Sequence, residues 1–186
     1  RLIPAVTAAL EGGIVLLQYR RKTGEAALRR HEAESLLMLC QRYYVPLLIN
    51  DDVELALQIG ADGVHLGRSD AALQAARSAL GNTAIIGATC HDSLAFAQEA
   101  TTLGANYLAF GAMFSSQTKP NTPLASPLLF AEAKHFKRPL VAIGGISTDN
   151  GASVIQAGAD YLAVIQSLWS APDIRLRAQQ FAALFA

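Results

Sequence analysis

The chain has 186 residues, of which 52% are hydrophobic and 16% are charged, and its 15 basic residues balance 15 acidic ones. This composition predicts one globular domain over residues 1–186 with a substantial core, and it excludes a disordered chain. Because the net charge is zero, nothing in the composition favours nucleic acid or an anionic membrane as a partner, so any anion site must be local.

Seven short apolar runs predict strands that are buried on both faces, as in a parallel sheet covered by helices. Helical patterns alternate with these runs, and the first of them covers residues 4–10. Polar residues just before later helical patterns predict N-caps at Asp92, at Ser126, and at Thr148 or Asp149. The predicted strands cover residues 14–18, 46–49, 63–66, 84–87, 107–110, 140–143 and 161–165.

A glycine-containing fragment recurs where helical patterns give way to strands. It reads Gly-Ala-Asp-Gly at residues 60–63, Gly-Ala-Asn-Tyr at 104–107 and Gly-Ala-Asp-Tyr at 158–161, with a degenerate copy at 11–15. Each copy predicts a helix end, a glycine in the left-handed region and entry into a strand. The repeated unit predicts an α/β fold, a TIM (β/α)8 barrel whose first strand precedes residue 1. A doubly wound open sheet is the alternative, but no Gly-x-Gly-x-x-Gly follows the first strand.

The two cysteines, Cys40 and Cys90, lie far apart and outside any Cys-x-x-Cys or Cys/His cluster. This spacing favours a reducing cytoplasm and argues against a disulfide scaffold or a structural zinc site. We interpret Cys90 as a small buried thiol rather than a nucleophile. No apolar run reaches the length that spans a membrane.

The active site of a (β/α)8 barrel is formed at the carboxyl ends of its strands. The first strand of this chain ends in a polar and basic segment, in which period-two alternation points Gln18, Arg20 and Lys22 to one side. The same alternation points Tyr19 and Arg21 to the other side. An amide and two cations on one side predict an anion clamp, and a basic surface loop is the alternative.

Carboxylates follow the next two strands. Asp51 and Asp52 come after one strand and Asp70 after the other, and carboxylates placed this way hold Mg²⁺ against a substrate diphosphate. For Asp52 we favour an N-cap of the following helix. For Asp70 an N-cap and a metal ligand are equally open. We interpret His65 as a barrel histidine with satisfied hydrogen bonds rather than a base, since no nucleophile accompanies it.

The later strands end in hydroxyls, one lysine and a pair of glycines. Thr89 supplies a hydroxyl, and the loop after residue 110 supplies several donors and a point charge suited to diphosphate. Gly144 and Gly145 leave backbone N–H groups open to an anion. The turn that begins at Ile165 precedes a helix, at the common phosphate site of this fold. Two anion sites predict two phosphorylated substrates.

Several of these segments together resemble the thiamine-phosphate synthase family. The similarity covers essentially the whole chain in order, and the combination is specific even though single segments occur in many phosphate-binding barrels. The segments are Leu17-Gln18-Tyr19-Arg20-x-Lys22, Asn50-Asp51-Asp52, Gly60-Ala61-Asp62-Gly63-Val64-His65-Leu66-Gly67, Phe110-Gly111-Ala112-x-Phe114-Ser115-Ser116-x-Thr118-Lys119-Pro120 and Ala142-Ile143-Gly144-Gly145-Ile146.

The resemblance implies an Mg²⁺-dependent transferase of thiamine biosynthesis. Such an enzyme joins 4-amino-2-methyl-5-pyrimidinylmethyl diphosphate to a thiazole phosphate, releases diphosphate and forms thiamine phosphate. It implies that Asp51 and Asp70 bind Mg²⁺ and that Lys119, Arg20, Lys22 and Thr89 are catalytic. The implied substrate-binding residues are Gln18, Arg20, Lys22 and Asn50 for the pyrimidine diphosphate, Thr89 near the pyrimidine, Ser116, Thr118 and Lys119 for either phosphate group, and Gly145, Ile165 and Gln166 for the thiazole phosphate.

Three residues depart from the family pattern. Arg68 replaces the usual glutamine, Thr89 replaces serine but keeps its hydroxyl, and Gln166 replaces serine in the phosphate turn. Two other functions therefore stay open, namely a thiazole tautomerase on the same barrel and a non-catalytic protein that binds thiazole phosphate. The sequence also leaves open whether the barrel forms a homodimer.

Overall fold

The computed structural model describes residues 1–67, 69–115 and 122–186, with the backbone alone at residues 70 and 71. The described residues form one seven-stranded parallel sheet whose strands follow one another in chain order, β1 to β7. The strands are β1 (Leu17–Tyr19), β2 (Leu47–Asn50), β3 (Gly63–Leu66), β4 (Ile85–His91), β5 (Tyr107–Phe110), β6 (Leu140–Ile143) and β7 (Tyr161–Ala163). The helices are α1 (Leu2–Glu11), α2 (Ala26–Arg42), α3 (Val53–Ile59), α4 (Asp70–Leu80), α5 (Leu94–Thr102), α6 (Leu128–Ala133), the 3₁₀ turn Lys134–Phe136, α7 (Gly151–Ala157), α8 (Gln166–Trp169) and α9 (Ile174–Ala183).

The sheet register separates an inner face from an outer one. Outward residues such as Leu47, Ile49 and Val64 belong to the large apolar cluster that joins the strands to the helices. Leu48 is equally buried but lies outside that cluster, on the inner face. The inner face also carries a polar row, in which the paired residues are Asn50, His65, Gly87 and Tyr107.

Helix α1 packs directly against α9. A Cβ atom on Gly12 would lie 2.5 Å from the Cβ atom of Ala178, so only glycine permits this crossing. Ala9 and Leu168 complete the small apolar cluster between these helices. Among the helices of the described segments, none is both long enough and apolar enough to cross a membrane.

Three predicted strands, 63–66, 107–110 and 140–143, are confirmed to the residue, whereas the bounds of the other four differ, because β2 is shifted by one residue, β7 ends two residues earlier, and β1 and β4 differ as follows. Strand β1 begins at Leu17 rather than at residue 14. The chain continues the turn after α1, where the Ile14 N–H donates to Ala9, and joins the sheet only when the Leu17 N–H donates to Pro46. Strand β4 runs on to His91 because the Gly111 N–H donates to the carbonyl of His91.

The helix caps correct several predictions. Ser93 caps α5 instead of Asp92, and its hydroxyl accepts from the Phe96 N–H at 3.1 Å. Helix α7 is preceded by Asn150 rather than capped by Thr148 or Asp149. Helix α6 follows Pro127, although the Ser126 hydroxyl still accepts from its first N–H at 3.3 Å.

The repeated fragment consists of a glycine that ends a helix and a polar residue that bonds to the preceding strand. Gly60 and Gly158 have φ of 68° and 117°, which confirms the predicted left-handed glycine. The polar residue two positions later then accepts a hydrogen bond from the N–H near the start of the preceding strand. These bonds run from Leu47 to Asp62, from Ile86 to Asn106 and from Leu140 to Asp160, each at 2.8 Å.

Arg77 of α4 joins several loops at the amino ends of the strands. Its guanidinium donates to the carbonyls of Gly81, Ala84 and Gly104 and to Oδ1 of Asn106, at 2.6–2.9 Å. Asn106 is also the acceptor for Ile86, so one arginine supports both a loop and a strand start.

We expect Arg77→Ala to lower the free energy of unfolding by about 2 kcal/mol, because several partly buried acceptors lose their donor together. Arg175→Ala is the matched control, since Arg175 forms an exposed pair with Glu11 at 3.4 Å, and we expect it to lose less than about 0.5 kcal/mol. Urea unfolding measures both. Equal losses would contradict this role of Arg77.

Candidate active site at the carboxyl ends of the strands

The end of β1 divides its polar side chains between two directions. The Tyr19 hydroxyl donates to Glu32 at 2.6 Å, and Arg21 pairs with the other oxygen of that carboxylate at 2.6 Å. The hydrogen bond from Tyr19 and the charge of Arg21 hold the pKa of Glu32 below its ordinary value. Tyr19 and Arg21 therefore face α2, as the alternation predicts. Arg20 and Lys22 are exposed, and within the described ranges neither forms an ion pair.

Asp51 is held across the ends of β2 and β3. Its backbone is left-handed, with φ of 61°, and its N–H donates to the carbonyl of His65 at 2.9 Å. One carboxylate oxygen accepts from the Asn50 amide at 2.8 Å and the other from the Gly67 N–H at 3.3 Å. The carboxylate remains exposed. Aspartate tolerates this conformation better than most residues do, but the sequence alone does not reveal it.

The neighbouring carboxylates differ in their roles at helix starts. Asp52 is the N-cap of α3, where it accepts from the Leu55 N–H at 2.9 Å, so that prediction is confirmed. Ser69, not Asp70, caps α4, and its hydroxyl accepts from the Ala72 N–H at 3.3 Å. The cap alternative for Asp70 is therefore wrong, and Asp70 is the first residue of α4.

His65 lies inside the barrel with both ring nitrogens in hydrogen bonds. Nδ1 is 2.7 Å from the Tyr107 hydroxyl, and Nε2 is 2.7 Å from the Thr89 hydroxyl. The residue is 6% exposed, and burial lowers its pKa to about 4. The interpretation of His65 as a satisfied barrel histidine is confirmed. The sequence pattern indicates only that Tyr107 begins a buried strand, because its hydrogen-bond partner is 42 positions away in the sequence.

The glycine pair after β6 lies against the segment that follows β5. The N–H groups of Met113 and Phe114 donate to the carbonyls of Ile143 and Gly144, each at 3.0 Å. Gly145 has φ of 64°, and a Cβ atom there would lie 2.5 Å from the carbonyl oxygen of Phe114. This turn therefore requires glycine at 145.

Two side chains fix the same turn from the other side. Asn150 donates to the carbonyl of Gly145 at 2.9 Å and accepts from the Ser147 N–H at 2.8 Å. The Ser167 hydroxyl donates to the carbonyl of Ile146 at 2.7 Å, which connects the ends of β6 and β7. The sequence alone did not identify Asn150 or Ser167 as site residues. The available signal was that each is a polar residue following a predicted strand end.

The remaining predicted site residues are placed as follows. Ile165 is exposed and directly precedes α8, which begins at Gln166. Cys90 is buried, with its thiol 3.6 Å from the carbonyl of Ala88, as expected for a structural thiol. Ser116, Thr118, Lys119 and Arg68 lie outside the described residues, as does the side chain of Asp70.

These features define the protein as a parallel barrel with a site for phosphorylated substrates. A parallel barrel brings cations, a carboxylate, a hydroxyl and an open glycine turn to the carboxyl ends of its strands, where barrels of this kind bind phosphorylated substrates. No group of three or more His, Cys, Asp or Glu side chains in the described segments is arranged to hold a metal by itself.

Comparisons with known proteins identify the family. Residues 1–168 match the thiamine monophosphate synthase family, and the chain belongs to it. A thiamine-phosphate synthase of Methylobacillus flagellatus is 52% identical over an alignment of 185 positions, which covers 100% of this chain and 88% of the relative. One of Thiobacillus denitrificans is 49% identical over an alignment of 187 positions, which covers 100% of this chain and 89% of the relative.

A solved structure agrees with this assignment. The thiamine phosphate pyrophosphorylase of Pyrococcus furiosus superimposes with a TM-score of 0.87 at 32% identity, over 98% of this chain and 88% of that one. The TIM-type barrel predicted from the sequence is thereby confirmed. The activity is that of a thiamine-phosphate synthase, a transferase acting on a pyrimidine and a thiazole phosphate.

The low pKa of His65 predicts how stability depends on pH. The unfolded chain binds a proton at this histidine below about pH 6.5, whereas the folded protein binds one only below about pH 4. Folding stability is therefore lost as the pH falls through this window, by at most about 1.4 kcal/mol per pH unit. Urea unfolding at pH 6.5 and pH 5 measures the loss.

We expect the loss to shrink in His65→Asn and to persist in His135→Asn, a control at an exposed histidine. An unchanged pH dependence in His65→Asn would show that other groups are responsible.

Proposed function

We propose that the two ends of this site divide the substrates between them. The corner at the ends of β1 to β4 takes the pyrimidine diphosphate, and the turn after β6 takes the thiazole phosphate. The observation that carries this division is the contrast between the two corners. One combines unpaired cations with a fixed carboxylate, and the other offers backbone donors on a rigid glycine turn.

The reaction requires no covalent intermediate between substrate and protein. Departure of diphosphate breaks the bond between the pyrimidinylmethyl carbon and oxygen, and the aminopyrimidine stabilises the resulting cation. The thiazole nitrogen then forms the new bond to that carbon. No protein nucleophile is needed, which agrees with the burial of Cys90 and the low pKa of His65. Catalysis consists of neutralising the leaving group and aligning the reactants.

Four residues of β1 and β2 would bind the pyrimidine diphosphate. Gln18 and Asn50 lie on the inner face, where their amides can donate to ring or phosphate acceptors. Arg20 and Lys22 have no carboxylate partner in the described part of the chain, so their charges remain available to the leaving group. These two cations, with Lys119, would be the catalytic charges, and Thr89 would supply a hydroxyl at the pyrimidine.

The residues present fit a magnesium ion at the same corner. Asp51 presents an exposed carboxylate whose orientation is fixed by Asn50 and Gly67, and oxygen donors of this kind suit Mg²⁺. Asp70 begins α4 just beyond Gly67 and is not needed as its cap. We propose Asp51 and Asp70 as the protein ligands. When bound, Mg²⁺ would neutralise charge on the departing diphosphate.

The thiazole phosphate would be received mainly by the main chain. Gly145 and the Ile165–Gln166 turn lie next to one another, since Ser167 is bonded to Ile146. Backbone N–H groups there can donate to phosphate oxygens. Ser116, Thr118 and Lys119, which follow β5 in the sequence, would hold either the thiazole phosphate or the departing diphosphate.

We also propose a cytoplasmic location, which the two buried cysteines support. A homodimer stays a prediction that sedimentation would test. A coupled assay for thiamine phosphate and released diphosphate tests the function directly. Formation of neither product by the purified chain would favour the non-catalytic alternative.

The metal proposal predicts different outcomes for two adjacent carboxylates. Asp51→Asn keeps a residue that tolerates positive φ and removes one charge. We expect it to lower kcat at least a hundredfold while the affinity for thiazole phosphate, measured by calorimetry, stays within threefold. Asp52→Asn removes one charge at the next position but keeps an oxygen for the α3 cap, so we expect near wild-type kcat.

Metal titration completes this test. We expect turnover only with Mg²⁺ or Mn²⁺, and none in excess EDTA. Full turnover in EDTA would contradict the metal, and a near wild-type kcat for Asp51→Asn would remove Asp51 from the site.

The glycine turn predicts a separate effect on the other substrate. Gly145→Ala places a Cβ atom 2.5 Å from the Phe114 carbonyl, so the turn must shift, and we expect KM for thiazole phosphate to rise about tenfold. Gly60→Ala is the matched control. Gly60 also has positive φ, 68°, but a Cβ atom there meets nothing within 4 Å.

The positive φ should lower the stability of both variants by about 1 kcal/mol, and the contact with the Phe114 carbonyl should add to the loss in Gly145→Ala, which thermal unfolding would show. A rise in KM of the same size in both variants would mean that the effect is one of general stability.

A further inference from the structure

A hydrogen-bonded chain crosses the barrel interior beneath the proposed pyrimidine site. It consists of the Tyr107 hydroxyl, the His65 ring and the Thr89 hydroxyl, joined by two contacts of 2.7 Å. The chain rises toward the mouth, because Thr89 lies two residues beyond Gly87, which pairs with both His65 and Tyr107. Thr89 is its last member and is partly exposed.

The neighbouring structure fixes the Tyr107 end of this chain. The Tyr107 and His65 rings stack at 5.5 Å with an angle of 23° between their planes. Gly87 leaves the space for the Tyr107 ring and hydroxyl, since any Cβ atom there would collide with both. Burial of the hydroxyl raises the pKa of Tyr107, so it keeps its proton, although the residue as a whole is partly exposed.

The direction of the chain follows from its donors and acceptors. A neutral imidazole has one N–H donor and one acceptor nitrogen. If Nδ1 carried the proton, it would donate to the Tyr107 oxygen, and the tyrosine proton would then need another acceptor. No other described residue offers one to Tyr107. Tyr107 is partly buried, so a hydroxyl proton without an acceptor is unfavourable there, by up to about 3 kcal/mol.

The opposite arrangement satisfies every group. Tyr107 donates to Nδ1, the proton of His65 is on Nε2, and Nε2–H donates to the Thr89 oxygen. Thr89 then cannot donate back to His65, so its own proton is left to point toward the mouth. The tautomer of His65 thus decides whether the Thr89 hydroxyl can act as a hydrogen-bond donor to a ligand.

We propose that Tyr107 and His65 are positioning residues. Because His65 donates to the Thr89 oxygen, the Thr89 hydroxyl is left to donate its own proton to an acceptor atom of the pyrimidine diphosphate. This proposal rests on the proposed function, which places that substrate beside Thr89. The acceptor is a ring nitrogen or a diphosphate oxygen. A hydrogen bond to the departing oxygen would strengthen as negative charge develops there.

A double-mutant cycle tests whether Tyr107 acts through Thr89. Tyr107→Phe removes one hydroxyl and keeps the ring stack, and Thr89→Val removes the other hydroxyl at nearly constant volume. We expect each to lower kcat/KM for the pyrimidine diphosphate about tenfold, the effect of one lost hydrogen bond. The double variant should be no worse than Thr89→Val, and KM for thiazole phosphate should not change.

Tyr161→Phe is the matched control. Tyr161 begins β7 as Tyr107 begins β5, and within the described residues its hydroxyl has no hydrogen-bond partner. We expect its kcat/KM to stay within twofold of wild type. Thr89→Ser, which keeps the hydroxyl, should retain most of the activity.

Two binding probes identify the acceptor. Calorimetry compares inorganic diphosphate with the pyrimidine alcohol that lacks the diphosphate, each on wild type and on Tyr107→Phe. Weaker binding of diphosphate supports a phosphate oxygen as the acceptor, and weaker binding of the alcohol supports a ring nitrogen. Unchanged binding of both, together with additive losses in the double-mutant cycle, would overturn the proposal.

The tautomer can be read without any turnover, which separates this proposal from the proposed function. Two-dimensional ¹H–¹⁵N spectra of histidine-labelled protein report which ring nitrogen carries the proton. His65 is buried whereas His31, His91 and His135 are exposed, so its ring signals are the solvent-protected ones. We expect the proton on Nε2, and Tyr107→Phe to disturb this state. A proton on Nδ1 in the wild-type protein would overturn the proposal even if the enzyme is active. Absence of turnover with the proton on Nε2 would instead contradict the proposed function.

Discussion

The single direction of all seven strands decides where polar groups can act. At the amino ends, side chains of Asp62, Asn106 and Asp160 each accept from the backbone of the preceding strand, and Arg77 adds further bonds. These groups satisfy the backbone where strands begin, so they are not available to a ligand. At the carboxyl ends Asp51, Asn150 and Ser167 also bond to the backbone, but Arg20, Lys22 and the Asp51 carboxylate remain exposed there. One constraint of topology thus separates the stable end of the barrel from its reactive end.

Charge pairing then determines which cations stay available. Glu32 forms an ion pair with Arg21, and Asp52 forms one with Arg29. Both carboxylates lie on the helix side of the sheet ends. Arg20 and Lys22 alternate with the paired residues along the same segment and are left exposed. Exposed ion pairs contribute little stability. In the proposed site, their larger effect is that Glu32 and Asp52 are paired with other arginines, so the charges of Arg20 and Lys22 would remain for a diphosphate.

The sequence predicts this fold well where burial alone decides, as in the continuous apolar runs that became β3, β5 and β6. It fails where two neighbours compete for one role, as Asp92 and Ser93 do for the cap of α5, because either can accept the same N–H. In the site, Asp51 and Thr89 follow from their positions at strand ends. The left-handed backbone of Asp51 and the bonds from Tyr107 to His65 do not, because they depend on contacts between segments far apart in the sequence.

The polar row inside the barrel is the clearest departure from an apolar interior. Leu48 shows that an inner position of this sheet can be filled by a buried aliphatic side chain. A buried histidine and a partly buried tyrosine are tolerated because each hydrogen bond is matched, and a partly matched network would be worse than an apolar layer. Gly87 has no side chain, and this leaves the space in which Tyr107 fits beside His65. Three inner positions are therefore adapted to one another, and the group that emerges from them at the mouth is a single hydroxyl whose orientation the layer beneath it controls.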